Sequence, residues 1–226
     1  GEEKPFKEGL RYVVTNRLLV LLIGLGTETA IAGMVIYFVA HALYKAGLFM
    51  VVGAIDHEAG TRDVTKVSGL AKAMPITFAA ALLAALSMGG LPLFFGFLAK
   101  EEIYYALAGT SPRAILFTAV AVIGNALMFV IAFAVGLKPF IGREGDTPKK
   151  AHEGPVLLWL GPLTLAVLSL AGALFSGIAH RFISSPMASA VDGELQSVTI
   201  SLIPSIGAAL ALSVLTVALG VVLYLG

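Results

Sequence analysis

The residue types best suited to chemistry lie inside a long apolar stretch, between residues 29 and 55. Tyr37, His41 and Lys45 follow one another at intervals of four, so in a helix they project from the same face. A histidine titrates near neutral pH, and a lysine beside it offers a second site for a proton. The spacing therefore predicts a group that takes up and releases protons within an apolar helix.

Lys45 lies ten residues before Ile55, at the end of this stretch, which is roughly 15 Å along a helix. A charged lysine at such a depth in a bilayer costs on the order of 3 kcal/mol, so it should face protein or water. The alternative is a lysine that reaches the membrane surface with its flexible chain. The depth favours a functional lysine over that alternative.

A second group follows a predicted interruption in the apolar stretch 75–99. Gly89, Gly90 and Pro92 interrupt the helical pattern, and Lys100 and Glu101 come soon afterwards. Interrupted helices inside a membrane commonly surround ion sites in transporters. Lys100 and Glu101 are either a pair that can separate within a resumed helix or a solvated helix end, and the spacing leaves both open.

Three other sets of polar residues have simpler interpretations. Thr27 is predicted to cap the helix that Glu28 begins, where a carboxylate suits the positive end; a place where a cation enters is the alternative for Glu28. Asn125 is predicted to form a hydrogen bond between helices. Residues 56–63 include Asp56, His57, Glu58 and Asp63, but their spacing matches no metal motif, and a charged loop held by Arg62 is favoured.

These side chains need a membrane helix bundle to position them. Of 226 residues, 58% are hydrophobic and 13% are charged, about half the charged share of soluble domains. The composition excludes a water-soluble enzyme and predicts an all-α, polytopic bundle of about six transmembrane helices, one discontinuous near residues 89–92. The predicted spans are 18–26 (extended toward Tyr12), 29–55, 75–99, 113–137, 156–179 and 200–225.

The pattern divides the chain into four regions. A polar leader (1–17) precedes the channel-forming helices (18–137), and a cytoplasmic loop (138–155) follows. Residues 156–226 form two helices with an interfacial connector at 180–199, which is predicted to be a loop with a short amphipathic piece. A signal peptide at the start is a weaker alternative, because acidic residues lie in the leader. Gly1 in place of Met suggests a truncated or split chain. Pro162 and Pro204 are predicted to be packing kinks.

Lysine and arginine indicate the orientation of the spans. The leader holds four, the 56–74 loop three and the 138–155 loop four, while the alternate loops hold almost none. Positive residues accumulate on the cytoplasmic side. Both termini are therefore predicted to be cytoplasmic.

Several classes of function are excluded. The chain has no cysteine, which excludes disulfides, thiolate catalysis and iron–sulfur ligation. No nucleotide-binding loop or nucleophile elbow is present, and the net charge of +1 gives no reason to expect nucleic acid. We expect no cofactor, no metal ion and no catalytic residue.

Two motifs resemble a known family. His41-Ala-Leu-Tyr-Lys45-Ala-Gly-Leu-Phe-Met50 and Gly90-Leu-Pro92, followed by Gly96-Phe97-Leu-Ala-Lys100-Glu101-Glu102-Ile103, resemble the antiporter-like membrane subunits of respiratory complex I and Mrp-type Na+/H+ antiporters. The segment from Asp56 to Asp63 and the tail from Leu158 to Tyr224 are more similar to the large A subunit of the Mrp type.

The resemblance implies a proton-translocating subunit rather than an enzyme. Its implied path runs through Lys45, with His41 as a relay neighbour, to Lys100, with Glu101 as the acidic neighbour; Tyr37 stands where some relatives have a histidine. The implied partners are other integral membrane subunits, the lipid bilayer and the transported ions, H+ and Na+ or K+, in the plasma membrane. The resemblance covers the C-terminal-half channel, because the upstream half-channel of the family has no counterpart here.

Two alternatives stay open. The same lysines could pump protons in a complex I-type NADH-quinone oxidoreductase or a membrane-bound hydrogenase. The chain could instead be a structural remnant that transports no ions. The free-energy cost of burying Lys45 would then have no explanation.

Overall fold

A computed structural model describes residues 27–193 and 206–226, except 62, 64 and 144. The predicted leader, the first predicted span and Pro204 lie outside these residues. Helices and their connections make up the described part, and no strand occurs within it. The prediction of an all-α helix bundle is confirmed.

The first helix, α1, spans Glu28–Ala59 and carries the predicted Tyr37, His41 and Lys45. Its 32 residues correspond to about 48 Å, more than a bilayer core requires. Thr27 caps it as predicted, because its hydroxyl accepts a hydrogen bond from the Ala30 amide at 3.2 Å. Gly60 ends it in the left-handed conformation, with φ of 73°.

The predicted interruption separates two short helices. Helix α2 spans Pro75–Met88 and α3 spans Phe95–Leu107, so the break at Gly89, Gly90 and Pro92 is confirmed. The backbone turns through positive φ at Gly90 and again at Leu93, with φ values of 67° and 75°. Lys100 and Glu101 lie inside α3, which excludes the solvated helix end.

The other long helices are α4 (Pro112–Gly136), α5 (Val156–Leu174) and α8 (Ala208–Leu225). Within the described ranges, α1, α4, α5 and α8 are long and apolar enough to cross a membrane. Helix α5 continues through Pro162, as the packing interpretation predicted. Large apolar side chains of α4 such as Ile115, Leu116 and Ile123 are exposed, as expected for helices that face lipid.

Residues 180–192, predicted as part of an interfacial loop with a short amphipathic piece, are helical throughout. Helix α6 (Ser176–Ala179) leads into a π-helical turn (His180–Ser184) and then α7 (Ser185–Asp192). The polar side chains here suggested a loop, but small residues such as Ala179 and Ala188 join the central core. The remainder of the predicted connector lies outside the described residues.

Helix α1 packs against α2, α3 and α5, and α4 packs against α2 and α8. Ser87 of α2 and Ser169 of α5, both fully buried, hydrogen bond to each other at 2.7 Å. This arrangement places the polar face of α1 opposite the helix break and α3.

The loops after α1 and α4 lie together at one end of the bundle. The Leu70 and Ala71 amides donate to the carbonyl groups of Pro139 and Phe140, at 3.3 and 3.1 Å. The Lys149 amide donates to the Ala59 carbonyl at 3.1 Å. The two lysine-rich loops that the charge pattern assigned to one side are therefore on the same side.

Candidate functional site

Lys100 is the most deeply placed charged group of the site. It is 4% exposed, and its Nζ donates a hydrogen bond to the Gly90 carbonyl at 2.7 Å. The ammonium also lies 5.9 Å from the centre of the Phe97 ring, within the range of a cation–π attraction. Lys100 thus joins α3 to the interruption that precedes it.

His41 sits between two tyrosines on the inner face of α1. Its Nδ1 lies 3.2 Å from the Tyr37 hydroxyl and 3.0 Å from the Tyr44 hydroxyl. Tyr37 and Tyr44 are buried, whereas His41 is half-buried. The structure therefore brings Tyr37 and His41 together as the spacing predicted, and it adds Tyr44.

A small cavity joins these two groups. Tyr37, Tyr44, Gly90, Lys100 and Asn125 are among its lining residues, so α1, α3, α4 and the helix break all contribute. Its volume is about 20 Å³, enough room for a water molecule. A polar cavity of this size can link groups that do not touch directly.

Lys45 lies one helical turn beyond His41 on α1 and is half-buried. The separation of four residues places it on the same helix face as His41. The two tyrosines that contact His41 line the same cavity as Lys100 of α3.

Lys100 and Glu101 have different partners although they are neighbours in sequence. The Ser213 hydroxyl of α8 donates a hydrogen bond to Glu101 Oε1, while Lys100 bonds to Gly90. Lys100 and Ser213 also line a groove of about 300 Å³, together with Phe97, Val214 and Val217. A direct Lys100–Glu101 pair that can form and separate stays a prediction.

Asn125 connects helices, as predicted. Its Nδ2 donates to the Tyr104 hydroxyl at 3.2 Å, and that hydroxyl also bonds to Thr216 of α8. Tyr104 and Thr216 are fully buried. This network ties α3, α4 and α8 together beside the cavity.

Glu28 lies in the first turn of α1 and is exposed. That position agrees with a carboxylate at the positive end of a helix. Its alternative role, as a place where a cation enters, stays a prediction.

A separate cluster surrounds Glu58, near the C-terminal end of α1. His57 Nδ1 and His152 Nδ1 contact the two carboxylate oxygens of Glu58 at 2.9 and 3.2 Å. Glu58 is 5% exposed, against 65% for His57 and 72% for His152. Within the described residues, no group of three or more histidine or acidic side chains could hold a metal ion.

Asp63 lies apart from that cluster in a tight turn. It accepts hydrogen bonds from the Thr65 hydroxyl and amide at 2.7 and 3.0 Å. These bonds hold the pKa of the Asp63 carboxyl below its usual value. Arg62, which was expected to hold this loop, lies outside the described residues.

The sequence reasoning missed Tyr44, Tyr104, Ser213 and the Glu58–His152 contact. Tyr44 carried a signal, because it lies three residues after His41 and shares its helix face. The other three depend on contacts between distant parts of the chain. No local pattern reports such contacts.

The chain is similar to a family of membrane proteins. The profile of the family described as "NADH:quinone oxidoreductase/Mrp antiporter, TM" matches residues 5–127, more than half of the chain. The chain belongs to this family. It is therefore a multi-pass membrane protein related to NADH:quinone oxidoreductase and Mrp antiporter subunits.

Two similar curated proteins are named as antiporter A1 subunits. The chain is 38% identical over 183 residues to "Na(+)/H(+) antiporter subunit A1" of Staphylococcus haemolyticus, covering 75% of this chain and 23% of the relative. It is 36% identical over 173 residues to the subunit of the same name in Staphylococcus aureus strain Newman, covering 72% and 22%. The chain thus spans about a quarter of the length of the curated relatives that it matches.

One solved structure shares the fold over most of the chain. It is described as "Structure of Mrp complex from Dietzia sp. DQ12-45-1b", with a TM-score of 0.75 and 29% identity. The match covers 92% of this chain and 22% of the other. The predicted relation to Mrp A subunits is confirmed.

Proposed function

We propose that this chain is part of the proton-translocating subunit of a multisubunit monovalent cation/proton antiporter. It relays protons through Lys45, His41 and Lys100. One observation carries the proposal: buried Lys100 and the tyrosines bonded to His41 line the same cavity. A buried lysine on the cavity and a histidine that contacts two of the tyrosines lining it suit proton transfer, because both groups can gain and lose a proton.

The helix break suits this function because it keeps Lys100 in place in both protonation states. A carbonyl oxygen accepts a hydrogen bond from an ammonium and from a neutral amine alike. The 2.7 Å contact from Lys100 Nζ to the Gly90 carbonyl therefore survives loss of the proton. Lys100 can exchange protons without leaving the cavity.

Two lysines along one path also offer a means of coupling. Protonation of Lys45 disfavours a second positive charge nearby, since like charges repel, and the low dielectric of the interior strengthens this effect. A proton that arrives at one lysine thus promotes the release of the proton bound to the other lysine. The coupled cation is Na+ or K+, and the names of the similar antiporter subunits favour Na+.

The partners follow from the family. The solved relative is an Mrp complex, so other integral membrane subunits are the proposed partners, in the plasma membrane with both termini cytoplasmic. The juxtaposed lysine-rich loops after α1 and α4 support this orientation. The named relatives are antiporter subunits, which favours an antiporter over a redox-driven proton pump.

Everted membrane vesicles that contain the parent complex test the proposal. A preformed pH gradient is collapsed by added Na+ or K+, and Lys45→Ala is compared with wild type at matched expression. We expect the rate to fall at least about tenfold, as is typical when a proton-transfer group is lost. Lys138→Ala, in an exposed loop, is the matched control and should behave as wild type.

The vesicle result also separates the alternatives. A Lys45→Ala complex that assembles and retains wild-type cation-dependent proton movement would reject the relay. A change in thermal stability without a change in flux would instead support the structural remnant. Proton pumping that requires NADH and quinone rather than a cation gradient would support the redox-driven assembly.

A further inference from the structure

Helix α8 supplies a buried serine to the charged part of α3. The Ser213 hydroxyl donates a hydrogen bond to Glu101 Oε1, and Ser213 is 2% exposed. Glu101 is half-buried and follows Lys100 directly in α3. A serine on one helix therefore holds the carboxylate that lies next in sequence to the buried lysine on another.

The two charged neighbours of α3 bond to different elements of the fold. Lys100 Nζ donates to the Gly90 carbonyl in the helix break at 2.7 Å, whereas Glu101 accepts from Ser213 of α8. Side chains at adjacent helical positions do not face each other, so α3 alone does not set the distance between the two charges. The contact with Gly90 holds the ammonium, and the contact with Ser213 holds the carboxylate.

The Ser213 hydroxyl can influence the charge on Lys100 through Glu101. A hydrogen bond donated to an ionised carboxylate stabilises its negative charge. A negative charge near a buried ammonium lowers the free-energy cost of burying the ammonium. Loss of the hydroxyl would therefore change the balance between the protonated and the neutral form of Lys100.

We propose that Ser213 is a positioning residue for proton transfer at Lys100, and that it acts by holding the Glu101 carboxylate. This inference rests on the proposed function and deepens it, because it gives α8 a part in the relay. Ser213 lies outside residues 5–127, which the family profile matches. The serine passes no proton itself, since its O–H bond stays intact while it donates the hydrogen bond.

Substitutions at Ser213 separate the effect of the hydroxyl from the effect of side-chain size. Ser213→Ala removes the hydroxyl, whereas Ser213→Thr keeps it and adds a methyl group. Ser213 lines the groove of about 300 Å³ between α3 and α8, which leaves space for that methyl group. Both variants are compared with wild type in the everted-vesicle assay on the complete parent complex.

We expect Ser213→Ala to lower the rate of cation-dependent proton movement at least about tenfold, because a hydrogen bond to a charged group is lost. Ser213→Thr should stay within about twofold of wild type, since its hydroxyl donates in the same way. Equal losses in the two variants would overturn the inference, because the effect would then follow from packing.

Thr216→Val is the matched control on the same helix. Thr216 lies three residues after Ser213, is fully buried, and bonds through its hydroxyl to Tyr104 of α3. The variant thus removes a buried hydroxyl from the same helix face and leaves Glu101 and its partner in place. We expect a lower melting temperature of the purified complex but a rate within about twofold of wild type, because the bond that is lost joins two uncharged groups. A loss of rate as large as that of Ser213→Ala would overturn the inference.

A double-mutant cycle tests whether Ser213 acts through Glu101. Ser213→Ala is combined with Glu101→Ala, and both the rate and the melting temperature are measured. In the Glu101→Ala complex, the further loss of rate caused by Ser213→Ala should be less than about twofold, since residues in contact have effects that do not add. If Glu101→Ala alone abolishes proton movement, the changes in melting temperature give the coupling. Additive effects would overturn the inference.

The outcomes separate this inference from the proposed function. A Ser213→Ala complex with wild-type flux, in an assay that Lys45→Ala inactivates, would overturn the role of Ser213 and leave the relay intact. Wild-type flux in Lys45→Ala would overturn both proposals together.

Discussion

The Gly90 carbonyl accepts the hydrogen bond of Lys100, and the space beside Gly90 is too small for a side chain. A Cβ at this position would lie 2.8 Å from Lys100 Nζ, and φ is 67°. An alanine in the left-handed region costs about 1–2 kcal/mol, and its methyl group would displace the ammonium. We therefore expect Gly90→Ala to lower the thermal stability of the purified complex and to reduce cation-dependent proton flux several-fold.

Gly124→Ala is the control for that substitution. Gly124 lies within α4, and a Cβ there meets nothing within 4 Å. Alanine is favoured over glycine in a helix by roughly 0.5–1 kcal/mol, so stability should be unchanged or higher and flux unchanged. Equal flux in the Gly90→Ala and Gly124→Ala complexes would contradict the role given to the Lys100–Gly90 contact.

At the scale of residues, the spacing in the sequence predicted the contacts within α1 better than the contacts between α1 and the other helices. Tyr37 and His41 were found because residues four apart share a helix face. The contact of Lys100 with a carbonyl group rather than with Glu101 depends on how the chain turns between Gly89 and Phe94. That path is set by packing, and sequence spacing does not report it.

Helix α2 depends on a side chain from a distant loop. The Glu153 carboxylate accepts hydrogen bonds from the Ile76 and Thr77 amides at 2.6 and 3.3 Å, and from the Thr77 hydroxyl. The first amides of a helix have no partner within it, and Met74, at the cap position, supplies no side-chain acceptor. Glu153 therefore caps the helix that leads to the break.

Glu153→Ala should destabilise the protein by about 1–2 kcal/mol, the usual cost of losing a helix cap. The measurement is thermal unfolding of the detergent-solubilised protein. Asp146→Ala removes an exposed carboxylate from the same loop and should have little effect. Equal melting temperatures for the two variants would show that the Glu153 cap contributes nothing to the stability of the protein.

At the scale of elements, local signals predicted the helices well. Gly89, Gly90 and Pro92 correctly indicated the interruption because each disfavours a continuing helix. The segment from His180 to Asp192 was predicted as an interfacial loop with only a short amphipathic piece, because its polar side chains suggested a loop, and the full extent of its helix was not predicted. The cap by Glu153 could not be predicted either, because its partners are 76 and 77 residues away.

At the scale of the whole molecule, loop positions give an orientation that can be measured. The loops after α1 and α4 hydrogen bond to each other at one end of the bundle. Lys72 and Asp146 are exposed in these loops, whereas Thr110 is exposed in the connection between α3 and α4. Because this sequence has no cysteine, single cysteines can report the side on which each loop lies.

We expect Lys72→Cys and Asp146→Cys to react with a membrane-impermeant thiol reagent in everted vesicles and not in intact cells. Thr110→Cys should show the opposite pattern. The assay uses the parent protein with any other cysteine replaced, and each variant must retain flux. Labelling of all three positions from the same side would contradict the positive-inside orientation.

The family and the bundle could be predicted from the sequence because two motifs and the apolar spans lie within continuous stretches of it. The matched region covers 23% and 22% of the curated relatives, and the family motifs account for Lys45, His41 and Lys100. The cavity that Lys100 shares with the two tyrosines that contact His41 could not be predicted. It is built from α1, α3, α4 and the helix break together, so it exists only once these elements have packed.

The most direct test of the relay is simultaneous measurement of both ion fluxes in proteoliposomes that contain the purified parent complex. Lys100→Ala is compared with wild type and with Lys138→Ala, using radioactive Na+ (or a K+ analogue) and a pH-sensitive dye in one preparation. If protons pass through Lys100, both fluxes should fall together by at least about tenfold in Lys100→Ala, with Lys138→Ala unchanged. Wild-type proton and cation fluxes in an assembled Lys100→Ala complex would contradict the account.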